Sequence, residues 1–159
     1  MRLARDQDGR RVAALIERVF AEYEGCIFET MEFPELRRPA THYAMKGGAM
    51  FVAEQGEEIV GSIAWFHNRA PDVFELGKVY VDESLRGAGL AARLLDVAMT
   101  DIRARGGREI VLFSDTRFTR GHAFYEKHGF QRLPGLRLLE DVSNTLEYGF
   151  RLNLEGAAA

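Results

Sequence analysis

The sequence predicts one domain built as a mixed α/β or α+β sheet with helices packed on it. Three observations carry this prediction. The chain has 159 residues, the length of a single domain, with 47% hydrophobic and 28% charged residues, enough for one buried core. Segments with a two-residue hydrophobic period alternate with segments of helical period. Glycine and proline punctuate the joins between them.

In chain order, Met1–Ala4 reads as a short edge strand. From Asp8 onward, Val12, Leu15, Ile16, Val19, Phe20 and Tyr23 lie on one helical face, with Asp6 or Asp8 as the N-cap. Residues 24–48 are irregular, interrupted by Pro34 and Pro39 and closed by Gly47-Gly48, with a short helix over Pro39–Lys46. Met50–Glu54 and Glu58–Asn68 flank Gly56 as a hairpin. The second run is apolar on both faces, which makes it a central strand. After a turn at Ala70-Pro71-Asp72, Val73–Val81 reads as another strand. The period then changes: Leu90, Leu94, Leu95, Ala98 and Ile102 form a helical stripe that stops at Gly106-Gly107. A strand over Glu109–Ser114, a helix over Phe118–His128, and strands over Phe130–Leu133 and Thr145–Leu152 complete the order. The domain is expected to span residues 1–153, with 154–159 as a disordered tail.

Composition excludes several classes. A single cysteine, Cys26, excludes an internal disulfide framework, and no Cys/His cluster has metal-site spacing, so no metal is expected. No apolar run of membrane-spanning length exists, and MRLARDQDGR lacks the apolar stretch of a signal peptide, so a cytoplasmic protein without membrane partners is expected. The net charge of −3 argues against a nucleic-acid partner. That total hides a pattern. Residues 1–85 carry 10 basic and 15 acidic side chains, residues 86–137 carry 10 and 5, and the last 22 residues carry 1 and 4. The basic block suits an anionic ligand.

The most informative segment is Val79-Tyr80-Val81-Asp82-Glu83-Ser84-Leu85-Arg86-Gly87-Ala88-Gly89-Leu90-Ala91. It reads as strand, loop, glycine pair and helix. The glycines allow a tight turn, and the unpaired N–H groups of the helix's first turn attract phosphate. No Walker motif is present. Gly87-Ala88-Gly89-Leu90-Ala91-Ala92 also fits the dinucleotide fingerprint, with Asp115 lying 28 residues after Gly87. However, the motif follows three predicted strands, and only 72 residues remain after Gly87, too few for a two-half dinucleotide fold.

Arg86-Gly87-Ala88-Gly89-Leu90-Ala91, taken with Ala123-Phe124-Tyr125-Glu126-Lys127-His128-Gly129-Phe130, resembles the GNAT superfamily of N-acetyltransferases. The likeness runs over roughly residues 50–133 with matching element order. It implies a mixed, mostly antiparallel central sheet of six to seven strands flanked by helices. It also implies a splay between the strand before the Arg-Gly-Ala-Gly loop and the strand after the following helix. The implied co-substrate is acetyl-CoA. Its pyrophosphate would lie on the amides from Arg86 through Gly87, Ala88, Gly89, Leu90 and Ala91 to Ala92, and its pantetheine along Val79, Tyr80 and Val81.

Acetyl transfer to an amine needs a base for the ammonium, an acid for the departing thiolate, and N–H donors for the oxyanion between them. Tyr125 matches the family's proton-donating tyrosine, and a phenol of pKa about 10 is protonated at neutral pH. Glu75, 11 residues before Arg86, matches a strand glutamate that serves as base in some members. Strict alternation puts it on one face with Gly77, Val79 and Val81. His67 is the reserve base. One position departs from the family: Phe118 stands where many members have an asparagine that bonds the pantetheine, and Ser114-Asp115-Thr116-Arg117 offers substitutes. Cys26 has no adjacent histidine, so direct attack in a ternary complex is expected over an acetyl-cysteine.

The acceptor site implied by the family lies partly after the first helix, where Glu22, Glu24, Glu29, Glu32 and Glu35 interleave with Phe28, Met31 and Phe33. Phe28, Glu29, Glu32 and Phe33 are the candidate substrate contacts for a small-molecule or protein amine. Homodimers are frequent in the family, and the sequence does not set the oligomeric state. The competing reading is a non-catalytic acyl-CoA-binding regulatory module, which would need neither Tyr125 nor Glu75.

Overall fold

Glu58–Asn68, the run with two apolar faces, pairs on both sides inside an eight-stranded sheet. The computed structural model describes residues 1–155. Its elements are β1 (Arg2–Leu3), α1 (Gly9–Phe20), α2 (Pro39–Met45), β2 (Ala49–Gln55), β3 (Glu58–Asn68), β4 (Ala70–Val81), α3 (Leu90–Ala104), β5 (Glu109–Asp115), α4 (Thr119–Lys127), β6 (Gln131–Arg132), β7 (Arg137–Leu138) and β8 (Leu146–Asn153). The strand order is β1-β2-β3-β4-β5-β8-β6, with β7 also on β8. Every pairing is antiparallel except β4 with β5.

Two layers of helix cover the sheet. On one face, Leu90, Leu94, Leu95, Ala98 and Ile102 of α3 join Trp65, Phe74, Leu76 and Phe150. Trp65 Nε1 donates to Asp101 Oδ2 at 2.6 Å, tying β3 to α3. On the other, Val12, Leu15, Ile16 and Val19 of α1 pack with Tyr43, Met50, Val52, Ile59 and Ala64. Phe74 and Phe150 are both fully buried, and each contributes roughly 1.5–3 kcal/mol relative to exposure.

The expected splay is present. β4 and β5 pair only from Val73–Leu76 to Glu109–Leu112. Beyond that point β4 stays with β3 and β5 stays with β8, so the sheet divides into two halves.

Several local expectations change. β4 begins at Ala70, because the chain reverses in a tighter turn at Arg69, which has φ +58°. Neither Asp6 nor Asp8 caps α1 with its side chain. Asp8 instead takes the Arg5 N–H and the Arg2 guanidinium, which hold its carboxyl below the usual range. Asp6 accepts from Thr41 N and Oγ1 in the first turn of α2. Leu154, expected to open a disordered tail, is buried, and its N–H donates to the Arg108 carbonyl at 2.8 Å. Residues 156–159 lie outside the described part.

The most consequential change is a bulge in β4. Ser62 pairs with Tyr80 and Ala64 with Gly77, so Lys78 and Val79 together oppose Ile63. Lys78 takes φ +53°, and Ser62 Oγ donates to its carbonyl at 2.6 Å. The extra residue reverses the alternation. Phe74 and Leu76 face α3 before the bulge, and Val79 and Val81 face it afterwards. Glu75 therefore lies on the opposite face from Val79 and Val81, correcting the strict-alternation expectation.

Candidate active site

Two clefts open at the splay. The first, of about 470 Å³, lies beside the α3 and α4 N-terminal regions. The second, of about 750 Å³, lies on the α1–α2 side under the connection between β7 and β8. They share Val79, Tyr80, Ser114, Phe118 and Tyr125.

The first cleft gathers Val79, Tyr80, Val81, Arg86, Gly87, Gly89, Leu90, Ala91 and Ala92. Ala88 does not line it. Gly87 and Gly89 have φ of +83° and +79°, a backbone state that disfavours a Cβ. The turn they make leaves the start of α3 open. Arg86 N donates to the Glu83 carbonyl and Ala88 N to the Leu85 carbonyl. The N–H groups of Gly87, Gly89, Leu90, Ala91 and Ala92 have no acceptor among the described residues. Arg120, Lys127 and His128 border the same cleft. Free amides, a helix N-terminus and flanking cations fit a nucleotide pyrophosphate. The Arg86 guanidinium is already engaged: it forms a two-point ion pair with Glu22 and also donates to the Val81 carbonyl. Glu22, expected in the acceptor region, thus fastens the end of α1 to the glycine loop.

Tyr125 stands at the junction. Its ring is 6% exposed and packs on Phe124, Phe130 and Phe150 at 5.6–5.7 Å between centroids. The hydroxyl has no hydrogen-bond partner among the described residues, and burial pushes the phenol well above its ordinary pKa. It is therefore a protonated, uncommitted donor between the clefts. Phe118, in the family's asparagine position, packs on Tyr23 at 4.9 Å and on Phe20 at 6.0 Å. It walls the junction without offering a polar atom.

Glu75 lines the second cleft and is half-buried. Burial raises its carboxyl above the usual range, opposed by the Arg137 charge and by the hydrogen bond from Asn68 Nδ2 at 2.7 Å. A carboxylate shifted this way is a better proton acceptor. Glu32 and Phe33 line the same cleft, whereas Phe28 and Glu29 do not. Phe28 stacks on Phe33 at 5.2 Å, and Glu29 accepts from Met31 N to cap a 3₁₀ turn. Glu35 pairs with Lys78 at 2.6 Å. His67 is exposed, lies over Phe74 and lines neither cleft. Cys26 is half-buried, and desolvation raises its thiol.

The roof of the second cleft was not visible in the sequence. Arg117 Nη1 donates to the Gly25 carbonyl at 3.0 Å and Nη2 to the Ser143 carbonyl at 2.6 Å. Ser143 Oγ accepts from Ile27 N at 2.8 Å, and Glu32 Oε2 accepts from Val142 N at 2.9 Å. These bonds join segments up to 116 positions apart, with no local signal in either.

The family model described as acetyltransferase (GNAT) matches residues 12–130. The chain belongs to the GNAT acetyltransferase family. An uncharacterized N-acetyltransferase of Escherichia coli K12, YjgM, is 33% identical over 132 residues, covering 80% of this chain and 78% of its own. A mycothiol acetyltransferase of Corynebacterium glutamicum is 36% identical over 75 residues, 47% of this chain but 25% of its own. A GNAT-family acetyltransferase structure from Staphylococcus aureus Mu50 superposes with a TM-score of 0.81, covering 96% of both chains at 19% identity. An aminoglycoside 6′-N-acetyltransferase complexed with coenzyme A superposes at 0.66 over 92% of this chain and 90% of its own, at 16% identity. These two share the GNAT fold. Among the described residues of this GNAT chain, no helix is long and apolar enough to cross a membrane, and no cluster of ligating side chains could hold a metal.

Proposed function

We propose that the protein transfers an acetyl group from acetyl-CoA to a primary amine by direct attack, with Glu75 as base and Tyr125 as acid. The observation that supports this is the meeting of the two clefts at Tyr125, with Glu75 inside the second one only. Acetyl-CoA, bound along the first cleft, supplies an activated thioester. The chain's own residues do the rest. The amides of Gly87 and Gly89 to Ala92 hold the pyrophosphate, with Arg120 and Lys127 beside them. Glu75 takes the proton of the entering ammonium, directly or through one water, so that the nitrogen lone pair is available. Tyr125 Oη gives a proton to the departing sulfur. Phe118 and the aromatic walls limit water at the junction.

A regulatory acyl-CoA module has no use for an uncommitted phenol at the junction with a raised carboxyl in the facing cleft. The test follows free thiol release from acetyl-CoA over a panel of small and protein amines, beside thermal melts with acetyl-CoA. Thiol release that depends on amine and falls in both Tyr125→Phe and Glu75→Gln supports the enzyme. A rise in melting temperature without thiol release from any amine supports the module.

A further inference from the structure

The second cleft has a charge balance that its sequence does not reveal. Of the acids on its wall, Glu35, Asp115 and Glu147 are met by Lys78, Arg117 and Arg137. Glu32, Glu75, Glu140 and Asp141 have no cation within 4 Å among the described residues. The remaining wall ammonium, Lys46, is exposed and stands 4.3 Å over the Phe66 ring. An independent feature points to a ligand. Tyr43, from α2, is 3% exposed and lines this cleft, yet its phenol has no hydrogen-bond partner among the described residues. The ring is buried but the hydroxyl is not closed off, so it stands free to bond a group that enters the cleft. The aromatic walls already receive ammonium groups of the protein itself: Lys78 Nζ lies 5.4 Å from the Phe33 centroid.

The reacting nitrogen must give up its charge at Glu75, so it leaves the other free carboxylates uncompensated. Glu32 and Glu140, both exposed to solvent, favour a second positive charge elsewhere on the acceptor. An acceptor carboxylate would instead add to an existing excess of negative charge. We propose that the acceptor is a primary amine carrying a second cationic group and no carboxylate, held by Tyr43 and by Glu32 and Glu140. This rests on the acetyl-transfer reading and specifies its substrate class.

Putrescine, n-butylamine and γ-aminobutyrate test it, because they share a four-carbon chain and differ at the far end. The expected order of kcat/KM for thiol release is putrescine, then butylamine, then γ-aminobutyrate, with at least about tenfold between the first and last. Added salt narrows the spread. The double variant Glu32→Gln/Glu140→Gln brings putrescine down toward butylamine while leaving the KM for acetyl-CoA unchanged. Tyr43→Phe raises the amine KM more than it lowers kcat, and keeps the ring contacts with His42 and Phe66. Melting shifts of the CoA-saturated protein with each amine give a readout independent of turnover. Putrescine stabilisation without thiol release keeps a dication in the second cleft but sinks the acetyl-transfer reading and, with it, putrescine's role as acceptor. Thiol release with γ-aminobutyrate equal to or better than putrescine does the reverse. If putrescine neither reacts nor shifts the melt, or if the double variant leaves the order intact, the proposal is overturned.

Discussion

Replacing Tyr125 by phenylalanine separates packing from chemistry at the junction. The ring contacts with Phe124, Phe130 and Phe150 survive the change, because only one oxygen is removed. That oxygen has no hydrogen-bond partner among the described residues, so no donor or acceptor is left orphaned. The stability change should stay within about 1 kcal/mol, or about 2–4 °C in Tm for a chain of this size. Tyr125→Ala, by contrast, opens a cavity in the core and should cost roughly 3–5 kcal/mol. A positioned proton donor contributes about 100-fold to 10,000-fold in rate. Tyr125→Phe should therefore lower kcat by about 100-fold or more with little change in either KM. The assay is continuous thiol release at saturating acetyl-CoA and amine, paired with thermal melts. Because burial raises the phenol, the wild-type rate should show no Tyr125 deprotonation limb near the ordinary phenol value of about 10. A kcat within threefold of wild type across pH, with the melt unchanged, would falsify the acid role.

Glu75→Gln should abolish most turnover and remove the acidic limb of the pH–rate profile, which in the wild type lies above the ordinary glutamate value of about 4.3. A carboxyl raised by folding contributes stability fully present below its unfolded pKa and lost as pH rises through its folded one. The glutamine, which can still accept from Asn68, should thus melt at or above the wild-type temperature at neutral pH, and a clear fall in Tm there would contradict the burial argument. Arg117→Ala removes the ties to Gly25 and Ser143, so the amine KM should rise by about tenfold while the KM for acetyl-CoA stays put. An equal rise in both would show that the roof is not specific to the acceptor cleft. Gly89→Ala forces a Cβ into φ +79°, costing about 1 kcal/mol. It should weaken coenzyme A binding in calorimetry, and unaltered affinity would argue against the amide cradle.

The first cleft, where we propose acetyl-CoA binds, is legible in the sequence because its lining is local. Arg86 to Ala92 are contiguous, and the glycine spacing itself sets the backbone that exposes the amides. Tyr125 was equally readable from its helix. The second cleft is not. Glu75 is a candidate from its place before Arg86, but strict alternation puts it on the wrong face, because one extra residue at Lys78–Val79 reverses every side chain beyond it. Tyr43, Asn68, Arg117 and Ser143 sit in segments without motifs. Arg117 and Ser143 meet through contacts between distant parts of the chain, and Asn68 reaches Glu75 seven positions on, across the β3–β4 turn. The short strand Arg137–Leu138 has no sequence signal for the same reason, since only pairing with β8 defines it.

Sequence alone thus determined the sheet-and-helix order, the glycine turn that leaves its amides free and the likeness to the acetyltransferase family, because each is carried by short-range periodicity or contiguous residues. The tertiary structure alone decided which carboxylates are already neutralised, which face Glu75 occupies and what roofs the second cleft. Those depend on which distant side chains fall within a few ångströms of one another, and linear spacing does not carry that distance.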